Sequence, residues 1–179
     1  DSQANKAALS RVLWPQFPID QVVEAIDDAH AKGTLRRACF QVTVGADSLE
    51  ETLDAVHALH TVVVDIPICA SVAVRNLDDV DALLQAGADR VTISLDAAAE
   101  RIHKQVKSGS WTRTWHLLKD AAAAHPGHIG THIITGLGET EHEMAETLQQ
   151  LADLGVSIGL FAFTPLHGTP MADCQPPAL

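Results

Sequence analysis

Residues 130–141 read GTHIITGLGETE, and the break inside that stretch decides the fold. Residues 131–135 are β-branched and apolar, as in a strand buried on both faces. Gly136, Leu137 and Gly138 interrupt the strand. Glu139, Thr140 and Glu141 then open a helix whose acidic first turn suits the positive end of the helix dipole. Met144, Leu148, Leu151 and Leu154 follow at three- and four-residue spacing, which gives that helix one core-facing stripe. Leu154 and Gly155 stop it, and residues 157–170, SIGLFAFTPLHGTP, begin the next strand. The stretch is a βαβ unit. Its Gly-rich turn lies at the carboxyl end of the first strand, where parallel α/β folds place their ligands.

The pattern repeats on the amino-terminal side. Asp20 is read as the cap of a helix over about 20–31, stopped by Gly33. A strand is expected over 37–44, and Asp47, Ser48, Glu50 and Glu51 open a helix to about 59. The apolar runs 61–64 and 66–74 are read as a strand continuing into a loop, followed by a helix over 77–86. Residues 90–95 form a strand with Asp96 at its carboxyl end, and helices follow over about 98–106 and 111–124. Strand starts near 37, 61, 90, 129 and 157 have the spacing of βα units in a parallel sheet or barrel. An eight-fold barrel needs about 250 residues, and this chain has 179. An incomplete barrel or an open doubly wound sheet is therefore expected. The leading helix implies a first strand that is not visible.

Composition narrows the partners. The chain is 46% hydrophobic with a net charge of −11, which disfavours broad attraction to nucleic acid or to anionic membrane. No apolar run is long enough to span a bilayer and no signal peptide opens the sequence. Cys39, Cys69 and Cys174 lie far apart without CxxC spacing, which fits a reducing cytoplasm. The chain starts at Asp1 with the polar run DSQANKAALS, read as the later part of a longer polypeptide.

The candidate chemistry is carried by a few positions. The GLGE turn at 136–139 is neither GxGxxG nor a Walker loop, so a ligand-cradling turn and a structural turn both remain open. Ser94 and Asp96 sit at the carboxyl end of a strand, where a carboxylate accepts hydrogen bonds from ribose hydroxyls. Alternatively, Asp96 caps the helix that follows. Gln41 and Thr43 are polar residues in an apolar strand, and inward-facing polar groups are costly unless paired. They belong either to a site or to a satisfied core pair.

Ten histidines invite a metal reading. The pairs His57/His60 and His125/His128 come without a cysteine- or carboxylate-rich partner motif, and no HExxH is present, so most are read as surface or helix-end residues. His132 and His167 differ, because each lies within or just after a strand of the 130–170 unit. No GxSxG elbow or Ser-His-Asp arrangement appears, and Cys39 has no evident base. Lys104, Lys107 and Lys119 read as helix residues, against a Schiff-base lyase or aldolase.

SWTRTWHLLK at 110–119, GTHIITGLGET at 130–140 and FTPLHGTP at 163–170, with AGADRVTISLDA at 86–97, resemble the radical S-adenosylmethionine enzymes. The similarity is greatest to the group of biotin synthase and lipoyl-synthase-like proteins and covers roughly residues 36–173. It implies an α/β fold, a partial (βα)6 TIM-like barrel of parallel strands over 19–170. Residues 1–18 would form an N-terminal loop segment and 171–179 an irregular tail. It also implies a 4Fe-4S cluster that reductively cleaves S-adenosylmethionine to a 5′-deoxyadenosyl radical. That radical abstracts hydrogen from a small-molecule or carrier-bound substrate, with flavodoxin or ferredoxin as electron donor.

Carried over by residue, Asp96 with Ser94 would meet the ribose. Ile134 would support the adenine, with Phe163 lining the same side. Arg113 or Thr114 would lie near the methionine carboxylate, and the strand carrying Gln41 and Thr43 would touch the methionine amino group. The CxxxCxxC loop that holds the cluster is absent, so the ligands are expected outside this chain, which without them would be inactive. Either that loop precedes Asp1, as the polar opening and missing first strand suggest, or this is a degenerate barrel that binds a nucleoside-like ligand or serves as a scaffold. His132 stands where the family often has glycine. Cys174 is read as a ligand of an auxiliary cluster or as a surface thiol.

Overall fold

The computed structural model describes residues 17–177, so the polar opening and most of the expected N-terminal segment lie outside the described residues. Five strands, β1 (Ala38–Gln41), β2 (Ile68–Ser71), β3 (Arg90–Thr92), β4 (Ile129–Thr135) and β5 (Ser157–Ala162), form one sheet in the order of the chain. Every neighbouring pair is parallel. The helices are α1 (Ile19–Ala31), α2 (Ser48–Val62), α3 (Leu77–Gln85), α4 (Glu100–Val106), α5 (Trp111–Ala124) and α6 (Glu141–Asp153).

Sequential order without reversal decides between the two expected architectures. Crossovers between parallel strands are right-handed, so a sheet that never reverses its order keeps all its helices on one face. A doubly wound sheet needs a switch point, and here there is none. The sheet is a curled half-barrel, with helices outside and a concave face within.

Alternation along the strands assigns the two faces. Ala38, Ile68, Ala70, Val91, Ile129 and Ile133 are buried beneath the helices with Val56, Leu59, Val80, Leu83, Leu118 and Leu151. Each fully buried Leu or Ile contributes about 1.5–3 kcal/mol, so this layer holds the sheet's shape. The opposite face carries Cys39, Gln41, Cys69, Thr92, Gly130 and His132. Cys69 Sγ lies 3.2 Å from Thr92 Oγ1, and a Cβ on Gly130 would lie 3.1 Å from that hydroxyl.

Three expectations are corrected. Residues 61–64 are not strand: α2 runs to Val62, and Val63 still donates to the Leu59 carbonyl at 2.8 Å. Val56, Leu59 and Val63 are all buried at helical spacing, and that periodicity outweighs the β-branched composition. Asp20 lies inside the first turn of α1, with Pro18 at the cap. β1 ends at Gln41, so Thr43 lies beyond the strand and is exposed. Among the described residues, no helix is long and apolar enough to cross a membrane.

Candidate functional site

The site forms where the carboxyl ends of β3, β4 and β5 are tied together. Beyond Thr92 the β3 ladder is interrupted by a side chain: Thr131 Oγ1 donates to the Ile93 carbonyl at 2.7 Å and accepts from the Leu95 amide at 3.2 Å. Ile93 and Leu95 are buried in the core, so the alternate residues Ser94 and Asp96 turn the other way, each half-buried. Pairing resumes at Asp96, whose amide donates to His132 O and whose carbonyl accepts from Ile134 N, both at 2.8 Å. Phe163 N donates to Thr135 O at 2.8 Å. Asp96, Ile134 and Phe163 therefore share one edge.

Asp96 has φ 64°, in the left-handed region, and is the one described non-glycine residue with positive φ. Aspartate tolerates this conformation better than most residues, and such strain clusters at functional positions. It is not the helix cap that the sequence left open, because α4 starts at Glu100 with Ala99 as its cap. Its carboxylate pairs instead with Lys107 Nζ. A carboxylate has about four acceptor sites, so capacity remains for ligand hydroxyls.

The GLGE turn is organised by its own glutamate. Glu139 accepts from Gly136 N at 2.5 Å, Leu137 N at 2.9 Å and Thr135 Oγ1 at 3.0 Å. Burial opposes its ionisation, but these hydrogen bonds outweigh it and hold the carboxyl below its usual range. Gly136 has φ 92°, and the Pro177 ring lies across it, 2.6 Å from where a Cβ would stand. Arg101 on α4 clamps the turn from outside. It donates to the Gly138 carbonyl at 3.0 Å and to Glu143 Oε1 at 2.7 Å. Thr140 and Glu143 complete a capping box at the start of α6.

Arg101, with help from the Thr140 amide, holds the Glu143 carboxyl down at about 2. A depressed carboxyl stabilises the fold above its unfolded value of 4.5, and the stabilisation is lost as pH falls toward about 2. The melting temperature is expected to drop more steeply between about pH 5 and pH 2.5 than that of Glu143→Gln. Parallel profiles would remove Glu143 from the account.

Around the rim, Trp111 Nε1 donates to the Ala97 carbonyl at 2.8 Å, and Trp111 stacks on Trp115 at 5.2 Å. This ties the start of α5 to the Asp96 loop. Arg113 Nη2 donates to the Arg75 carbonyl at 3.2 Å, and Thr114 Oγ1 donates to the Ser110 carbonyl at 3.2 Å. Arg113 thus stands on the rim past β2, next to the Asp96 loop. Gln41 ends β1 opposite Ser71, on the far side of the concavity from Ile134 and Phe163. The structure gathers Ser94, Asp96, Ile134 and Phe163, leaves Arg113 and Thr114 at the rim, and sets Gln41 and Thr43 apart.

Three roles are not legible in the sequence. Glu139 reads as part of the GLGE turn and helix start and Lys107 as a helix residue, but not as the acceptor that orders the turn or as the partner of Asp96. His103 is not singled out by the sequence, yet it is 3% exposed with Nδ1 unpartnered. Burial pushes its imidazolium down, as does Lys107. The residue set suits a nucleoside, with hydroxyl acceptors at Ser94 and Asp96 beside apolar Ile134 and Phe163. It does not suit a metal cluster: among the described residues no three His, Cys, Asp or Glu side chains converge on a metal position.

The chain is similar to several known proteins. Biotin synthase from Salinispora arenicola is 28% identical over 166 residues, covering 91% of this chain and 49% of its own length. Biotin synthase from Corynebacterium glutamicum is 29% identical over 166 residues, covering 91% and 48%. The chain thus spans about half the length of the curated relatives it matches. Among solved structures, the FeFe-hydrogenase maturase HydG from Carboxydothermus hydrogenoformans superposes with a TM-score of 0.57 at 19% identity, covering 86% of this chain and 38% of its own. HMG-CoA lyase from Brucella melitensis superposes at 0.58 with 16% identity, covering 88% and 58%. At such identities these structures show the shared barrel fold alone. The profile described as the Radical SAM superfamily matches residues 7–151, which include Asp96, Ile134 and the GLGE turn. On that match, extending over most of the sequence, the chain belongs to the radical SAM superfamily.

Proposed function

We propose that this chain forms the S-adenosylmethionine-binding wall of a radical enzyme with biotin-synthase-like chemistry. The observation that carries the reading is the joining of Asp96, Ile134 and Phe163 along one carboxyl edge beside the GLGE turn. In this reading Ser94 and Asp96 accept hydrogen bonds from the ribose hydroxyls. Ile134 and Phe163 provide an apolar slot that keeps water from the adenine, and Arg113, with Thr114 beside it, attracts the methionine carboxylate. Gln41 at the end of β1, with Thr43 just beyond it, would face the amino group from the far side of the concavity. Bound there, S-adenosylmethionine would supply, on one-electron reduction and cleavage of its sulfur–C5′ bond with release of methionine, a 5′-deoxyadenosyl radical for hydrogen abstraction from substrate.

The four-iron cluster is assigned to a segment other than the described residues. A flavodoxin- or ferredoxin-type donor, a small-molecule or carrier-bound substrate, sulfur insertion or another cofactor-biosynthesis step, and a cytoplasmic location complete the proposal. They rest on the likeness to biotin synthases, whose lengths this chain half covers.

The test uses the full-length gene product, purified without oxygen and reconstituted with iron and sulfide. After addition of S-adenosylmethionine and dithionite, 5′-deoxyadenosine is expected. A colourless protein that binds S-adenosylmethionine but releases no 5′-deoxyadenosine would replace this reading with a non-redox, nucleoside-binding barrel.

A further inference from the structure

We propose that Arg90 forms an anion subsite on the floor of the concave face, where it anchors a carboxylate of the molecule on which the site acts. The inference rests on the functional reading above and names the substrate class for the same cavity. Arg90 opens β3 and pairs in register with Cys69. Its stem crosses the inner wall: a Cβ on Gly130 would lie 3.2 Å from Arg90 Cδ. The absence of a side chain at Gly130 gives the stem its path.

The guanidinium is unbalanced. Arg90 Nε is buried without a hydrogen-bond partner, and no described carboxylate pairs with Arg90, whereas Arg37, Arg75 and Arg101 each have an acidic partner. Guanidinium stays charged in proteins, and its buried Nε is left without the hydrogen bond that a buried donor needs, while Arg90 as a whole is half-buried. A chain with a net charge of −11 nevertheless leaves this cation unpaired on its inner wall. The nearby Cys39 thiol does not supply the missing charge. Burial and the neighbouring Cys69 push Cys39 up to about 11, so it is neutral at ordinary pH.

The neighbours suggest what the anion carries with it. Thr92, two residues along the same face, offers a hydroxyl that already contacts Cys69 Sγ. His132 and Phe161 form an edge-to-face pair at 5.1 Å, and a Cβ on Gly159 would touch both rings, which places them on this same face. Ser94 lies four residues above Arg90, about 13 Å along an extended strand. A short aliphatic chain along this wall, with its reactive end near Ser94 and the Phe161 ring and its acid at Arg90, fits the register. One planar fork plus one hydroxyl matches a carboxylate, whereas a phosphate calls for more donors.

The experiment uses the full-length protein without S-adenosylmethionine, with hexanoate, hexylamine, hexanol and hexyl phosphate as probes in thermal-shift titrations. Hexanoate is expected to raise the melting temperature and the other three to do so less. Arg90→Gln is expected to weaken hexanoate by about tenfold or more. Arg90→Met, which keeps the apolar stem, serves if the first variant folds poorly, and it too should lose hexanoate. Equal response to hexanoate and hexanol, or an unchanged response in both variants, would overturn the subsite, as would no response to hexanoate at all. Tighter, Arg90-dependent binding of hexyl phosphate would overturn the carboxylate assignment. None of these readouts requires 5′-deoxyadenosine formation, so failure here is distinguishable from failure of the radical reading.

Discussion

Asp96→Asn in the full-length protein is expected to weaken S-adenosylmethionine binding by roughly tenfold to a hundredfold, the usual worth of hydrogen bonds to a charged group. The variant is chosen for its backbone. Asp96 has φ 64°, and asparagine also tolerates the left-handed region, so the hydrogen bonds to His132 O and from Ile134 N survive. The side chain keeps an acceptor oxygen but loses its charge, and with it the ion pair to Lys107. Equilibrium dialysis of the purified variant measures the affinity, and a melting curve close to wild type certifies the fold. Unchanged affinity in a folded variant would remove Asp96 from the ribose contact.

Gly136→Val is expected to abolish detectable S-adenosylmethionine binding and to lower the melting temperature. A β-branched residue at φ 92° sits in a region it scarcely populates, at a cost of about 1–3 kcal/mol. Its Cβ would also meet the Pro177 ring at 2.6 Å. Relief of either displaces the Gly136 and Leu137 amides from Glu139, whose carboxylate orders the turn. The contrast is Gly33→Val, at φ 68° with open space around it, just beyond α1. That change carries similar backbone strain but lies far from the turn, so it should lower stability while leaving ligand affinity intact. If the two variants bind alike, the geometry of the Gly136 turn is not what holds the ligand.

The local rules governed most of the chain. Residues 130–155 folded as their pattern required. The strand, Gly break, acidic first turn and apolar stripe reappear as β4, the Glu139 turn and α6, with Leu151 fully buried. Each of those signals is confined to a few adjacent residues, so no distant contact was needed to fix it. Residues 61–64 failed for the same reason in reverse. Their β-branched composition suggests a strand, but the choice was made by Leu59 and Val63 packing into a core assembled from the whole sheet.

Short-range patterns with defined spacing were enough to read the βα repeat, the family, and the placement of Asp96, Ile134 and the GLGE turn at strand ends. Long-range packing was needed for the rest: that the sheet never reverses and so curls, that Lys107 meets Asp96, and that Arg101 reaches across to Gly138 and Glu143. It also decided that Arg90 lies on the inner wall with its buried Nε unpartnered. Those facts depend on which residues parallel pairing brings into register across dozens of intervening positions. Alternation within one strand says that a residue faces one way or the other; the burial of the helices on one side says which way is inward.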